Sequence, residues 1–249
     1  RDRPADQRFE TLDALQQAVE GRRSRSRSET VPLNTLTVEA DEAGDSVRLI
    51  NHRGTTVHPT HWSFGQLCQR IGAPAGYLRT LPVPLLADNL KHSLTHADKE
   101  DLKLLTVERP EADATSDTLQ AATSTTYGRI WDADVVAAVR RIVDRSGGKF
   151  FNPKDWSGKP AGLYASDHDV FAFMIDGGSV VDGGGERDQL HRGFFVANSE
   201  TGAKSLWLKT FLFRKACGNH IVWDAEDSTS VILRHSQGAP ARFDREAFP

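Results

Sequence analysis

The chain of 249 residues is 38% hydrophobic and 26% charged with a formal net charge of −3, the balance of a folded globular protein rather than a disordered one. That charge excludes a uniformly basic surface, so any nucleic-acid site has to be a local patch. Cys68 and Cys217 are too few and too far apart for a disulfide framework or a four-ligand zinc site, no apolar run reaches the roughly 18 residues of a membrane span, and no charged-then-apolar leader opens the chain, so a cytoplasmic protein with no membrane contact is expected.

In chain order, residues 9–20 place Phe9, Leu12, Leu15 and Val19 on one helical face and predict a docked amphipathic helix ending at Gly21. Residues 22–28 then hold four arginines and no apolar anchor, which predicts a solvated linker or a phosphate-contacting arm. Val31 to Asn51 reads as a hairpin around the turn DEAGD, followed by a polar stretch carrying His52 and His58, with His61 just beyond. Pro59 between His58 and His61 argues against a helical ligand pair, so neither a metal nor a cofactor is expected. Thr60 is placed to cap a helix that buries Phe64, Leu67, Cys68 and Ile71 and stops at Gly72. Short helices broken by Pro82 and Pro84 follow, then strands at 102–108 and 118–124. Asp132–Arg145 carries an apolar stripe of Val135, Val136, Val139, Ile142 and Val143, with Asp132 as N-cap and Gly147 as stop.

The last third reads as about five strands, AGLYASD, HDVFAFMID, RGFFVANS, SLWLKTFLFR and STSVILRHS, separated by the turn-rich GGSVVDGGGERD and NSETGAK. The glycine run at 183–185 lacks the Lys-Ser/Thr of a phosphate loop and reads as a flexible connection. The expected fold class is α+β, with a largely antiparallel C-terminal sheet, helices packed on one face and an N-terminal helix and hairpin region. The expected organisation is an N-terminal helix and basic arm at 1–28, then a single domain at 29–249 whose sheet core spans about 160–235. The final ARFDREAFP reads as the start of a further helix in a trimmed chain.

Three functional readings are open. The hairpin of Arg192–Ala197 and Ser205–Arg214 alternates so that Trp207, Lys209, Phe211, Phe213 and Lys215 share one face and Leu206, Leu208, Thr210, Leu212 and Arg214 the other. Rings for bases and cations for phosphates suit single-stranded nucleic acid, with Arg192, Lys204, Arg214, Arg129 and Tyr127 as further contacts. Against it stands packing of Phe211 and Phe213 in a core while Lys209 snorkels. The second reading is a metal-dependent nuclease or hydrolase built on Asp167, His168, Asp169, Asp176 and Asp182 at strand ends, with Cys217, Asn219 and His220 beside them. Turn chemistry is the plainer account of these residues, and Cys217, Asn219 and His220 are expected to close a structural CGNH turn. The third is a regulatory or inhibitory protein-binding module that uses NSETGAK and VVDGGGERD as its contact surface.

Four blocks in order, SFGQL with IGAPAGYL, STTY with Trp131-Asp132, LYASDHDVFAF, and RGFFVANSETGAKSL with CGNHIVW, resemble the phage- and plasmid-borne proteins of unknown function over about residues 30–235. The chain departs from the common pattern where Arg109 is followed at once by Pro110. The resemblance implies a mobile-element setting near replication and recombination, and no transferable activity. Single-stranded DNA is the expected partner, with a protein partner and self-association as the other options.

Overall fold

A computed structural model describes residues 4–41, 43–51, 53–97, 101–109, 117–154, 158, 161–181, 190–214, 220–222, 229–243 and 245. In chain order the elements are α1 (Leu12–Ser24), β1 (Ser26–Pro32), β2 (Thr37–Ala40), β3 (Val47–Ile50), β4 (Thr56–Pro59), α2 (His61–Arg70), α3 (Ala75–Leu78), α4 (Val83–Thr95), β5 (Asp101–Val107) and β6 (Asp117–Ser124). They continue with α5 (Asp132–Arg145), β7 (Phe150–Phe151), β8 (Leu163–Ala165), β9 (Val170–Val181), β10 (Leu190–Asn198), β11 (Leu206–Arg214), β12 (His220–Val222), β13 (Ser230–Leu233) and α6 (Ala239–Arg242). The chain is α+β, and it divides into two compact units, Ser24–Tyr127 and Arg1–Arg23 with Gly128–Pro249.

The Ser24–Tyr127 unit is a six-stranded sheet in the order β1-β5-β6-β4-β3-β2, antiparallel except where β4 runs parallel to β6. Phe64, Leu67 and Cys68 of α2 and Leu86, Leu90 and Leu94 of α4 share one core with Val38, Leu49, Leu102, Leu104 and Leu119 of the sheet. Thr60 caps α2 as the sequence predicts, accepting a 3.1 Å hydrogen bond from the Ser63 amide. The arginine-serine run is corrected here: Ser26–Pro32 is not a linker or arm but a strand paired along its length with Asp101–Val107. Backbone pairing orders this stretch although its side chains offer little apolar area. The polar stretch before α2 likewise holds a strand, β4, inserted between β3 and β6.

In the other unit, β12-β11-β10-β9-β7 form an antiparallel sheet, with β13 also on β11 and β8 also on β9. Strand alternation splits it cleanly. Ala172, Met174, Phe194, Val196 and Leu206 face α1 and α5, whose Leu12, Leu15, Val19, Val135, Val136 and Val139 complete a single core. Isolated helices of this length are marginal, so the docking of these side chains, each contributing about 1.5–3 kcal/mol, is what holds α1. The helix therefore runs through Gly21 rather than stopping there, and carries Arg22 and Arg23 into this unit. Asp132 is the first residue of α5 and Trp131 takes the N-cap position without a side-chain cap, a one-residue correction to the sequence expectation.

Gly193 marks the crossing of the opposite face. A Cβ there would stand 2.4 Å from Cζ of Phe211 and 2.7 Å from the Met174 carbonyl oxygen, so the Phe211 ring lies across a position only glycine leaves open. Replacing Gly193 with Ala is expected to destabilise by about 1–3 kcal/mol through overpacking. Gly21→Ala, in a helix with open space around the new methyl, is expected to stabilise by about 0.5–1 kcal/mol. Urea unfolding of the two variants checks both signs.

Candidate functional site

The outward face of the second sheet is aromatic. Its cross-strand register lines up Tyr164, Phe171, Ala197, Trp207 and Ile232 in one row, then Phe173, Phe195, Lys209 and Ser230 in the next. A third row holds Phe151, Ile175, Gly193 and Phe211. Ring centroids lie 6.1 Å apart for Tyr164 and Phe171, 5.7 Å for Phe171 and Phe195, and 4.4 Å for the stacked pair Phe173 and Phe211. Phe173, Ile175 and Phe211 are closed off, Phe211 being 3% exposed, whereas Trp207 is 45% exposed with Lys209 half-buried beside it, and Phe151 at the far end of the third row is also exposed. Ala197 stands between Phe171 and Trp207 in the first row.

Of the residues singled out from sequence, Trp207, Lys209 and Phe211 share this face, as the period-2 pattern predicts. Arg192 pairs with Leu212 and falls on the opposite face, although exposed. Lys204 donates to Asp169 Oδ2 at 2.5 Å. Arg129 is buried, donating through Nη1 to the Glu200 carbonyl oxygen. Tyr127 belongs to the other unit, where its carbonyl accepts from Lys103. Arg214 ends β11 opposite His220 of β12, and Phe213 precedes it. Lys215, Cys217, Asn219, residues 182–188 of VVDGGGERD, His52 and Pro110 lie outside the described residues.

Asp169 spends its carboxylate on Ser166 Oγ at 2.7 Å and on Lys204, and the His168 and Asp169 amides both point at Ser166 Oγ at 3.2 Å, which is turn chemistry. Among the described residues no group of three or more His, Cys, Asp or Glu side chains is placed to hold a metal ion, and no helix is long and apolar enough to cross a membrane.

Sequence reasoning missed the polar centre behind the sheet. NSETGAK reads as an outward loop, yet Asn198, Ser199, Glu200 and Thr201 are all buried. Arg22 reaches Asp132 Oδ2 at 2.7 Å and Glu200 Oε1 at 3.1 Å, and donates to the Ser166 carbonyl oxygen. Asn198 Nδ2 donates to Asp132 Oδ1 at 2.7 Å and to the Ile130 carbonyl oxygen at 3.0 Å, and the Asp132 amide donates to Glu200 Oε2 at 3.0 Å. Burial, then the Glu200 carboxylate, pushes the Asp132 carboxyl upward against the opposing pull of Arg22 and Asn198. His235 pins the same region: its Nδ1 lies 3.2 Å from the Gly128 carbonyl oxygen and 3.3 Å from the Ile130 amide. Burial draws this imidazole down to about 4, with Arg129 adding to the effect and the Gly128 hydrogen bond resisting it.

Comparison with family models, with characterised proteins and with solved structures gives no match for this chain.

Arg22→Met is expected to cost about 3–5 kcal/mol in urea unfolding, because it strands two buried carboxylates. His235 sets a pH dependence. Its folded pKa lies below the ordinary value, so its contribution is present above about pH 6.5 and is lost as pH falls toward 4, up to about 2–3 kcal/mol after allowance for partial exposure. Asp132, shifted upward, has the opposite slope, so the difference between wild type and His235→Gln, measured at pH 7 and near pH 4.5, isolates the histidine. A gap that does not narrow on acidification would contradict this assignment.

Proposed function

We propose that the unit formed by residues 1–23 and 128–249 binds single-stranded nucleic acid on the outward aromatic face of its sheet. The observation that carries this reading is the exposed indole of Trp207, beside the Lys209 side chain and in register with the half-buried rings of Phe171 and Tyr164. Single strands present unstacked bases and a charged backbone, and such sites combine flat stacking surfaces with cations. A duplex hides its base faces and gains nothing from Trp207. The reading keeps Trp207 and Lys209 from the sequence expectation and adds Tyr164, Phe171 and Phe195; it assigns Arg192, Lys204 and Arg129 no base contact. A part in the replication or recombination of a mobile element belongs to the same proposal and rests on the sequence resemblance alone.

A protein partner is the second reading, favoured by Ile232 and Phe151, which are 54% and 46% exposed on the same face and offer apolar area without a stacking plane. Fluorescence anisotropy of a labelled single strand against its duplex, at low and high salt, separates the two. Strand-selective binding that weakens with salt is expected. Trp207→Ala should lose about 1–3 kcal/mol, the worth of one stacked base. Lys209→Glu should abolish measurable binding at physiological salt while the melting temperature stays unchanged. Absence of strand binding at low salt would sink the nucleic-acid reading and leave the apolar face to a protein.

A further inference from the structure

A cleft of about 550 Å³ opens on the same unit, away from the aromatic rows, between one side of α5 and the C-terminal α6. Asp134, Ala137 and Arg141 line it from successive turns of α5, at the three- and four-residue spacing that puts them on one helical face. Arg23 at the end of α1 and Arg129 ahead of α5 bring two further guanidinium groups, so three arginines face one cavity with Asp134 as the acidic residue in its lining. Of the nearby carboxylates, Asp132 and Glu200 are both held by Arg22, and Glu200 also acts on Arg23. Arg23 is fixed, its guanidinium carbon 3.5 Å from the centroid of the Trp131 ring, with Arg129 at 5.5 Å from the same ring. The Nη1 of Arg23 is buried with no hydrogen-bond partner among the described residues. Burial lowers the Arg23 pKa against the pull of Asp134 and Glu200, a mark of a cation kept in a partly dry place.

Concentrated fork-shaped donors in a cavity within the size range of small-ligand sites are matched by an anion with several acceptor oxygens. The remaining wall is apolar, from Trp131, Pro240 and Phe243. We propose that this cleft binds a phosphate monoester attached to an aromatic group, the chemistry of a mononucleotide, with Arg23, Arg129 and Arg141 on the phosphate and the apolar wall against the base. The same chemistry occurs at the 5′-phosphorylated end of a strand, so both sources are tested. The site stands whether or not the aromatic face binds nucleic acid.

Calorimetric titration with adenosine monophosphate, inorganic phosphate and adenosine, using the full chain, is the test. Saturable binding of the monophosphate, competition by inorganic phosphate and no binding of adenosine are expected. Arg141 is exposed on α5, so Arg141→Glu should leave the fold intact by circular dichroism and weaken the monophosphate by about tenfold or more, with Arg141→Lys recovering part of it. Trp207→Ala should leave this binding unchanged, which separates it from the aromatic face. Competition by a 5′-phosphorylated oligonucleotide, but not by its 5′-hydroxyl counterpart, would assign the cleft to strand ends; absence of such competition would assign it to the free nucleotide. No monophosphate binding, or equal affinity in a folded Arg141→Glu variant, overturns the proposal.

Discussion

Everything in the 1–23 and 128–249 unit depends on one guanidinium between two buried carboxylates. Arg22 is 110 residues from Asp132 in sequence, yet their side chains meet at 2.7 Å, with Glu200 on the other edge of the fork. A buried ion pair is weak evidence of stability when compared with apolar residues of the same shape, because desolvation opposes the attraction. Its force lies in selection. With α1 shifted by one turn, the core of Leu12, Leu15 and Val19 could find other partners, but two carboxylates would be left without a cation in a dry interior. The polar centre therefore sets the register of α1 against α5 and the β10–β11 loop, while the apolar core supplies the attraction.

That division of labour leaves one face of the sheet uncovered by α1 and α5. Both helices of the unit with substantial apolar stripes, α1 and α5, are committed to the side of Phe194 and Leu206. The opposite side keeps its rings closed mainly against one another, through the stacked Phe173 and Phe211 and the glycine that admits them. Along β11 exposure rises from Phe211 through Lys209 to Trp207, which stands in solvent with its cross-strand neighbour Ile232. A sheet stabilised from one side can leave aromatic groups on the other for recognition without risk to its fold.

Local signals made much of this legible. Apolar periodicities mark α1, α2, α5 and the C-terminal strands, Thr60 and Gly147 mark helix ends, and the alternation in β11 separates Trp207, Lys209 and Phe211 from Leu206 and Leu208. What was hidden is what sequence distance hides. Polarity alone makes NSETGAK an exposed loop, and only the arrival of Arg22 and Asp132 from remote segments turns Glu200 into an interior residue. The arginine run illustrates the same limit. Composition reads 22–28 as one solvated stretch, whereas the fold uses Arg22 in a buried pair, Arg23 on a tryptophan and 26–32 as a strand. The one cue available in advance was the placement of Asn198, Ser199, Glu200 and Thr201 directly after a strand whose alternate residues are apolar.

The chain leaves this unit after Arg23 and returns at Gly128, so the whole Ser24–Tyr127 unit is inserted between two points of one framework. Insertions are tolerated where exit and return lie close together. Here they are tied twice at adjacent positions, by Arg22 to Asp132 and by Arg23 to Trp131, with the Gly128 backbone held against His235 and Ser236 by a contact no Cβ would permit. The same tie has a chemical by-product. Closing the framework with guanidinium groups on both sides of the junction brings Arg23 and Arg129 to one aromatic ring, and α5 adds Arg141 to the cavity they line. Three guanidinium groups on one cavity, with Asp134 as the carboxylate in its lining, are what an anion with several acceptor oxygens would match.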